Sequence, residues 1–246
     1  MASSEAKILL GKSALITGAS RGIGRAIAAA YADAGARVFI CGRNPSDVEN
    51  TCRELAVDGV AGDIARVQDA QRIVQAALAR FGAIDVLVNN ASILGPRVAI
   101  ADYPLATWDD VLRTNLTGLF LITHEVLPTM LARRSGSIIN VTSGVGRLGK
   151  AKWGAYAVSK AGLEGFTQVL ADEVKSAGIR VNSVNPAATR TAMRAQAYPD
   201  EDPLMLPTAE SVVPLFLYLA SDASVEVSGQ SLNARDWQPP VCVVAK

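Results

Sequence analysis

A tyrosine, a lysine and a serine in the second half of the chain have the types and spacing of an acid–base site. Tyr156 and Lys160 are four residues apart in YAVSK, so in a helix they share one face, one turn apart. Ser143 ends the apolar run SGSIINVTS, which favours a strand shortly before that helix. The alternative interpretation is a packed helical pair without chemistry, and the motifs that accompany the pair decide between the two.

The phenol of Tyr156 is the proton carrier in the first interpretation. A free tyrosine has a pKa of about 10 and exchanges protons poorly at neutral pH, but an adjacent ammonium favours the tyrosinate. Lys160 supplies that charge, so Tyr156 is predicted to protonate a carbonyl oxygen or to deprotonate an alcohol. The Ser143 hydroxyl would polarise the same oxygen. Such proton transfer complements hydride transfer, which is the chemistry of a nicotinamide cofactor.

A glycine-rich segment near the start of the chain predicts where that cofactor binds. TGASRGIG (17–24) follows a strand-like apolar run and opens a helical one. Glycines at such a turn let the backbone approach a pyrophosphate, whose charge meets the N–H groups of the helix N-terminus. The alternative is a tight packing turn without a ligand. The residues expected to contact a dinucleotide are Gly18, Ser20, Arg21, Gly22, Ile23 and Gly24.

Arg43 stands where an acidic residue would hold a ribose 2′-hydroxyl, at the end of the second predicted strand. An arginine there favours a 2′-phosphate, and Arg21 would assist through a second charge-assisted bond. NADP(H) is therefore predicted rather than NAD. The alternative is that both arginines are solvated surface residues.

The elements that must position these residues alternate along the chain. Strands are predicted at 13–17, 36–41, 84–90, 135–143 and 178–185, with a further short one at 58–63. Helices are predicted near 22–34, 46–56, 66–80, 108–132, 155–177 and 209–220. Strands that are apolar on both faces suit a parallel sheet covered by helices on each side. The expected fold class is α/β, a single-domain, doubly wound, Rossmann-like parallel sheet over residues 1–246.

This fold would bring the chemical residues together, because ligands of open α/β sheets bind beyond the carboxyl ends of the strands. The segment 187–207 is expected to form a substrate lid, since its prolines block a continuous helix. Met193, Leu204, Met205 and Leu206 would form its apolar underside.

The composition argues against other classes of protein. Lys and Arg number 24 against 23 Asp and Glu, a formal net charge of +1 that favours neither nucleic acid nor an anionic membrane. No apolar stretch in the sequence reaches the ~18–20 residues that span a bilayer, and the start MASSEAKILLGK is too polar for a secretory signal. The cytoplasm is the expected location. Cys41, Cys52 and Cys242 lack the spacing of disulfide or zinc sites, so no metal is expected.

With these residues in view, the chain resembles the short-chain dehydrogenase/reductase family over nearly its whole length. The motifs that carry the resemblance are TGASRGIG (17–24), AGDI with Asp63, NNAS (89–92), RTNLTG with Asn115, NVTS with Ser143, YAVSK (156–160) and NP (185–186). The segment TRTAMRAQAYPDEDP (189–203) is similar to a small bacterial subgroup whose substrates are poorly defined.

The resemblance implies roles for individual residues. It implies a catalytic tetrad of Asn115, Ser143, Tyr156 and Lys160, in which Asn115 assists a water-linked proton relay and Lys160 also binds the nicotinamide ribose. Asp63 would lie near adenine, and Asn89 and Ala91 would line the cofactor. Pro186 would begin the loop at the nicotinamide, and Thr189 or Thr191 would contact its carboxamide.

The sequence departs from the family at three places. NNAS replaces the commoner NNAG, Ala187 follows Pro186 where the family has glycine, and NARDWQPP (233–240) replaces the usual C-terminal ending. Alanine adopts positive φ less readily than glycine, so the loop at 187 is expected to be shifted or less mobile. The substrate pocket is expected to be lined by Ile93, Leu94, Val145 and Trp153, with Trp153 serving equally well as a helix start.

These features predict an oxidoreductase that transfers a hydride between NADP(H) and a small-molecule carbonyl or alcohol substrate. Two alternatives stay open, a non-catalytic NADP-binding sensor or structural subunit and an NAD-dependent alcohol dehydrogenase. The long predicted helices 108–132 and 155–177, with the family resemblance, lead us to expect a homodimer or homotetramer. The sequence does not identify the substrate.

Overall fold

Seven parallel strands form the centre of the computed structural model, which describes residues 7–239. They are β1 Ser13–Thr17, β2 Arg37–Gly42, β3 Asp58–Ala61, β4 Val86–Asn89, β5 Gly136–Val141, β6 Ile179–Asn185 and β7 Ser231–Asn233. Their order in the sheet is β3-β2-β1-β4-β5-β6-β7, and every pair is parallel. The predicted α/β fold class is confirmed. The six predicted strands are present close to their predicted bounds, whereas β7 has no counterpart among them.

Helices cover both faces of this sheet. They are α1 Gly22–Asp33, α2 Pro45–Leu55, α3 Val67–Phe81, α4 Leu105–Leu112, α5 Gly118–Arg133, α6 Gly144–Arg147, α7 Gly154–Glu173, α8 Ala192–Ala197 and α9 Val213–Ala220. Neighbouring strand residues enter opposite cores. Leu15 packs in the core beneath α3, α5 and α7, whereas Ile16 packs in the core beneath α1, α2 and α9. The strands are therefore apolar on both faces, as this layered arrangement requires.

The predicted helix at 108–132 is present and runs from Leu105 to Arg133, but it is not regular. One π-helical turn at Arg113–Thr117 joins α4 to α5, and the residues that flank it keep right-handed helical dihedral angles. In this turn the Asn115 side chain, which is 1% exposed, binds the backbone of Ile93 just after β4. Its Nδ2 donates to the Ile93 carbonyl at 2.9 Å, and its Oδ1 accepts from the Ile93 N–H at 2.8 Å. π-helical turns are frequent at functional sites, and this one contains Asn115.

One segment, Pro203–Ala220, passes a test for a membrane span by length and composition alone. The structure divides it into a 3-10 turn at Pro203–Met205, a second at Ala209–Val212, and α9. The buried side chains of α9, among them Phe216 and Leu219, pack into the core beside α1. α9, the last part of this segment, therefore belongs to the layer that covers the sheet, as the core helix of a globular domain does.

The segment 187–207 is more regular than predicted, because it contains α8. Thr191 caps this helix, and its hydroxyl oxygen accepts from the Arg194 N–H at 3.1 Å. The Arg194 guanidinium then donates twice to the Glu201 carboxylate, at 2.6 and 2.7 Å, and so folds the second half of the segment back onto the first.

The tip of this segment corrects the predicted apolar underside. Leu204 is 75% and Met205 80% exposed, so neither faces the protein. Asp202 starts a 3-10 turn at this point, accepting from the Leu204 N–H at 2.8 Å, and the turn directs both side chains to solvent. Met193, by contrast, lines the cleft described below.

Candidate active site

A cleft of about 760 Å³ lies beyond the carboxyl ends of the strands. It lies where β1 and β4 are adjacent and the strand order reverses, the position at which open α/β sheets bind ligands. Most of the residues selected from the sequence line this cleft. They are Gly18, Ser20, Arg21, Gly22, Ile23, Arg43, Asp63, Ala91, Ile93, Leu94, Ser143, Trp153, Tyr156, Lys160, Pro186, Thr189 and Thr191.

Two residues predicted to line the cleft lie behind it instead. The Asn89 amide is 4% exposed and donates to the Thr123 hydroxyl at 3.0 Å and to Asn140 Oδ1 at 2.9 Å, within the core. The neighbouring Asn90 takes the position at the cleft. Val145 packs on the aromatic cluster around Trp153 and does not reach the cleft surface. Asn89 is turned away from the cleft because side chains alternate along β4, whereas Val145 lies in the short helix α6 that begins after Ser143.

The glycine loop makes close contacts that no larger residue allows. A Cβ on Gly18 would lie 2.7 Å from the Ala91 backbone, and Gly18 has a φ of +64°. Gly24 does not line the cleft, but a Cβ there would lie 2.5 Å from Asn90 Nδ2 and 2.6 Å from the Gly18 carbonyl. Asn90 Nδ2 in turn donates to the Gly18 carbonyl at 3.0 Å. Gly24 therefore shapes the loop rather than contacting a ligand.

The N-terminus of α1 opens into the cleft without a partner from the protein. Its N-cap residue, Arg21, makes no capping hydrogen bond, and the first turn of α1 contains no acidic residue. Free N–H groups and the positive end of the helix dipole are the usual features of a phosphate site. The loop from Gly18 to Ile23 therefore has the form expected for binding a pyrophosphate.

Arg21 and Arg43 lie at the same end of the cleft, and both are exposed. Neither forms an ion pair within residues 7–239. Two carboxylates, Asp47 and Asp63, also line the cleft, and Asp63 Oδ1 accepts from the Ala65 N–H at 3.0 Å. The two guanidinium groups are thus available to an anion, while the Asp63 carboxylate is held in a turn.

Ser143, Tyr156 and Lys160 meet at the other end of the cleft. Ser143 follows β5 and is the N-cap residue of α6, while Tyr156 and Lys160 occupy adjacent turns of α7. Lys160 Nζ lies 5.6 Å from the centroid of the Tyr156 ring and donates to the Val141 carbonyl at 2.7 Å. A Cβ on Gly146 would lie 2.7 Å from the Lys160 backbone, so α6 packs tightly on α7 at this residue.

Burial dominates the protonation of these groups. It raises the pKa of Tyr156 to about 12, although the nearby hydroxyls of Ser143 and Ser92 act in the opposite direction. Burial lowers the pKa of Lys160 to about 8, opposed by the negative charge of Glu164. The expected lowering of the Tyr156 pKa by Lys160 is therefore not produced by the protein's own groups. At neutral pH Tyr156 is a phenol with a proton to donate.

Asn115 reaches α7 through a serine. Its Nδ2 donates to Ser159 Oγ at 3.0 Å, and the Ser159 hydroxyl donates to the Tyr156 carbonyl at 2.7 Å. The amide is thus fixed between the Ile93 backbone and α7, and it makes no direct bond to Lys160. Asn115 is placed to orient α7 near Tyr156 and Lys160.

Trp153 fits both of its predicted roles, since it is the N-cap residue of α7 and it lines the cleft. Its ring centroid lies 5.7 Å from that of Tyr156 and 6.1 Å from that of Tyr198, just beyond α8. The Arg97 guanidinium lies 4.8 Å from the Trp153 ring and 4.6 Å from the Tyr198 ring, and Arg97 also donates to the Ala197 carbonyl. α8 is therefore already packed against the substrate end of the cleft.

Three residues at or beside the cleft, Asn90, Arg97 and Tyr198, were not predicted from the sequence. Asn90 lies in the NNAS motif, and this position was the signal that could have selected it. Arg97 and Tyr198 are single residues in loops that are distant in sequence, so no spacing links them.

Ala187 adopts a left-handed backbone conformation, with a φ of +59°. The Asn185 side chain stabilises this turn, because its Oδ1 accepts from the Ala187 N–H at 3.0 Å. Nearby, the Thr189 hydroxyl donates to the Pro186 carbonyl at 3.0 Å. The loop thus holds an alanine in the left-handed region, at a cost of about 1 kcal/mol.

Comparison with known proteins agrees with this geometry. The model of the short chain dehydrogenase family matches residues 12–202. An uncharacterized oxidoreductase of Escherichia coli K12, YciK, is 38% identical over 234 residues, which are 92% of this chain and 92% of that protein. The 3-oxoacyl-(acyl-carrier-protein) reductase FabG of Vibrio cholerae is 35% identical over 236 residues, which are 92% of this chain and 96% of that protein.

A solved structure shares the whole fold. It is that of a protein assigned to the short-chain dehydrogenases, from Escherichia coli CFT073, in complex with NADPH. The two chains are 36% identical and superpose with a TM-score of 0.90, over 94% of this chain and 99% of the other.

Proposed function

Because the chain belongs to the short-chain dehydrogenase family, we propose that it transfers a hydride between NADP(H) and a carbonyl or alcohol substrate, with Tyr156 as the acid–base residue. The observation that carries this proposal is the convergence of Ser143, Tyr156 and Lys160 at one end of a cleft whose other end is the glycine loop. A protein that only binds a nucleotide has no need of a buried tyrosine and lysine beside it.

The cleft residues fit a dinucleotide with a 2′-phosphate. The Gly18 turn and the uncapped start of α1 suit the pyrophosphate, and Arg21 and Arg43 are free to bind a further phosphate. A relative with this fold is known in complex with NADPH, which supports the same choice here. Asp63 and Ala91 would contact the adenine and ribose side, and Pro186, Thr189 and Thr191 the nicotinamide side. The bound nicotinamide supplies the hydride.

In the direction of reduction, Tyr156 donates its phenolic proton to the carbonyl oxygen of the substrate. Its pKa of about 12 keeps that proton in place at neutral pH. The Ser143 hydroxyl, at the start of α6, polarises the same oxygen. The Lys160 ammonium, buried beside Tyr156, stabilises the tyrosinate that forms and binds the ribose of the cofactor. Asn115 keeps α7 in register through Ser159.

The substrate end of the cleft is apolar and aromatic. Ile93 and Leu94 line one side and Trp153 the other, while α8 contributes Met193 and Ala197. Such walls suit an apolar group next to the reacting carbonyl. We propose that 187–207 is a lid that closes further over this end when the cofactor binds, which would exclude water from the reaction.

A panel of carbonyl compounds tests the proposal, with consumption of NADPH or NADH as the readout. The panel includes ketoacyl thioesters, quinones, aldehydes and cyclic ketones. We expect at least one class to consume NADPH faster than NADH. Ser143→Ala should lower this rate at least ~10-fold, whereas Ser176→Ala, at an exposed serine outside the cleft, should not change it.

The same experiment separates the two alternatives. A sensor or structural subunit would bind NADPH tightly, but none of the carbonyl compounds would oxidise NADPH and no alcohol would reduce NADP. Turnover that prefers NAD and an alcohol would indicate an NAD-dependent alcohol dehydrogenase.

The same proposal extends to the whole chain. We propose that residues 1–246 act as one domain and that two or four copies associate. A cytoplasmic location fits Cys41 and Cys52, which are both free thiols. Cys242 lies outside the described residues, as does Pro240 of the divergent C-terminal segment.

A further inference from the structure

A buried carboxylate lies one helical turn beyond Lys160, and the proposed reaction does not use it. Glu164 is 9% exposed, and it shares a face of α7 with Lys160. Its carboxylate accepts from the Ser183 hydroxyl at 2.7 Å, from the Ser231 hydroxyl at 2.8 Å and from Arg147 Nε at 3.3 Å. A buried charge is costly unless it is paired and hydrogen-bonded, and this one is both.

These partners keep Glu164 ionised. Burial by itself raises the pKa of Glu164, but the hydroxyls of Ser183 and Ser231, with smaller effects of Thr142 and Arg147, more than offset it. The pKa of this carboxyl therefore lies below its ordinary value. Glu164 carries a negative charge throughout the neutral and alkaline range.

Arg147 holds this carboxylate in a network that reaches the active-site segments. Besides Glu164, its guanidinium donates to the Leu232 carbonyl at 3.1 Å and to Asn233 Oδ1 at 2.6 Å, both in β7. Asn233 Oδ1 also accepts from Asn185 Nδ2 at 3.1 Å, where the Pro186–Ala187 loop begins. Arg147 itself ends α6, the helix that Ser143 starts. One guanidinium thus joins α6, α7 and β7.

The surroundings of Lys160 contain few other charges. On α7 it faces Tyr156, a neutral phenol at pH 7, and Glu164. α6 brings Arg147, which contacts Glu164, and β5 brings the Val141 carbonyl, which does not titrate. Among the described residues, Glu164 is the charge that acts on the Lys160 ammonium and opposes the effect of its burial.

We propose that Glu164 is a positioning residue of this enzyme: its buried negative charge keeps Lys160 in the cationic form that binds the cofactor and acts on Tyr156, and Arg147 holds Glu164 in place. This inference rests on the proposed function, because it assumes a nicotinamide cofactor beside Lys160.

The affinity of the full-length protein for NADPH, measured by fluorescence titration from about pH 7 to pH 10, tests it without knowledge of the substrate. Affinity of the wild type should fall above pH 8 or so, where Lys160 loses its charge. In Glu164→Gln, which keeps the shape and an acceptor oxygen, the fall should begin about one pH unit lower. Asp58→Asn, which removes the carboxylate of an exposed ion pair with Arg80, should leave the curve unchanged.

Arg147→Gln should move the fall in NADPH affinity in the opposite direction, to higher pH. The Ser183 and Ser231 hydroxyls still hold Glu164, which keeps its charge and loses a cation that partly neutralises it. If Glu164 and Arg147 had only a structural role, both variants would bind NADPH more weakly at every pH. The pH at which the affinity falls would then stay that of the wild type. Curves for Glu164→Gln and wild type that coincide overturn the inference. If Glu164→Gln does not fold, the Arg147→Gln variant tests the inference instead. An NADPH affinity that falls in this variant at the wild-type pH or at a lower pH overturns the inference. NADPH that does not bind the wild type at any pH contradicts the proposed function itself.

Discussion

Arg43 is the residue on which the choice between NADP and NAD depends most directly. It is exposed at the end of β2, where an acid would instead hold a ribose hydroxyl. Arg43→Asp should weaken NADPH binding by roughly one to two decades, because a charge-assisted contact worth ~1.5–3 kcal/mol becomes a repulsion. Binding of NADH should stay the same or improve. Both affinities can be measured by fluorescence titration.

Arg53→Asp is the matched control for this change. Arg53 is an exposed residue of α2 whose guanidinium donates to Asn50, and it does not line the cleft. It changes the net charge by the same amount, so it should leave both affinities near those of the wild type. An Arg43→Asp variant with an unchanged preference for NADPH would assign the 2′-phosphate to Arg21 alone, or would favour NAD as the cofactor.

Ala187 is a second residue for which the backbone conformation leads to a testable prediction. Because its φ is +59°, Ala187→Gly should relieve strain and raise the free energy of unfolding by up to ~1 kcal/mol. The adjacent Ala188 has no positive φ, so Ala188→Gly should lower the same quantity by ~0.5–1 kcal/mol. Urea denaturation measures both. Equal losses in the two variants would show that the loop does not hold Ala187 in this conformation.

At the scale of elements, periodicity and turn residues predicted most of the fold. Apart from β3, the strands from β1 to β6 contain apolar runs bounded by turn residues, and their burial on both faces produces that pattern. β3, with the sequence DGVA, has no fully buried residue. β7 has only three residues, SLN, and one polar side chain at each end, so no pattern distinguishes it. The π-helical turn between α4 and α5 contains Asn115, whose side chain binds the backbone of Ile93, 22 residues earlier in the chain. Such tertiary contacts leave no local signal.

The candidate site was predictable where its residues lie in short motifs, and less so elsewhere. Ser143, Tyr156 and the glycine loop could be selected because strand ends and helix starts of an α/β sheet converge. Asn89 was misplaced by a single position, which turns a side chain to the other side of the strand. Val145 was misplaced because it lies in the helix α6, which begins after Ser143. The Tyr156 pKa could not be predicted either, because burial outweighs the neighbouring charge and burial is a property of the folded state.

The position of α8 is the element-scale feature with a direct test. Arg97 contacts the Ala197 carbonyl and the Tyr198 ring, so it should stabilise α8 against the cleft. Amide hydrogen exchange of 192–198 should slow when NADPH binds and should speed up in Arg97→Ala with or without NADPH. Arg53→Ala serves as the control. Exchange that is slow without NADPH and does not change on binding would mean that the segment is a fixed wall.

At the scale of the whole molecule, the outer faces of α5 and α7 favour self-association. Phe120 on α5 is 47% exposed, and Val158 and Val169 on α7 are 46% and 58% exposed. Apolar side chains grouped on two long helices are a common basis of subunit contacts. Light scattering should therefore give two or four times the chain mass of 25.8 kDa at micromolar concentration.

A pair of matched variants locates that contact. Val169→Asp should shift the mass toward that of a single chain, because it places a charge on the proposed contact face. Val225→Asp, at a residue that is 66% exposed and lies outside both helices, should not. A wild-type protein that is monomeric at micromolar concentration would contradict the proposed assembly.

The central claim, that hydride passes from NADPH to a carbonyl carbon while Tyr156 supplies the proton, can be tested by following the hydride itself. NADPH carrying deuterium at the transferred position of C4 is mixed with a carbonyl compound that the enzyme consumes, and the alcohol product is analysed by mass spectrometry. The account predicts one deuterium on the former carbonyl carbon with the wild type. It predicts essentially no product with Tyr156→Phe, although that variant still binds NADPH. An alcohol without deuterium, or a Tyr156→Phe variant that forms labelled product within a few-fold of the wild-type rate, would contradict it.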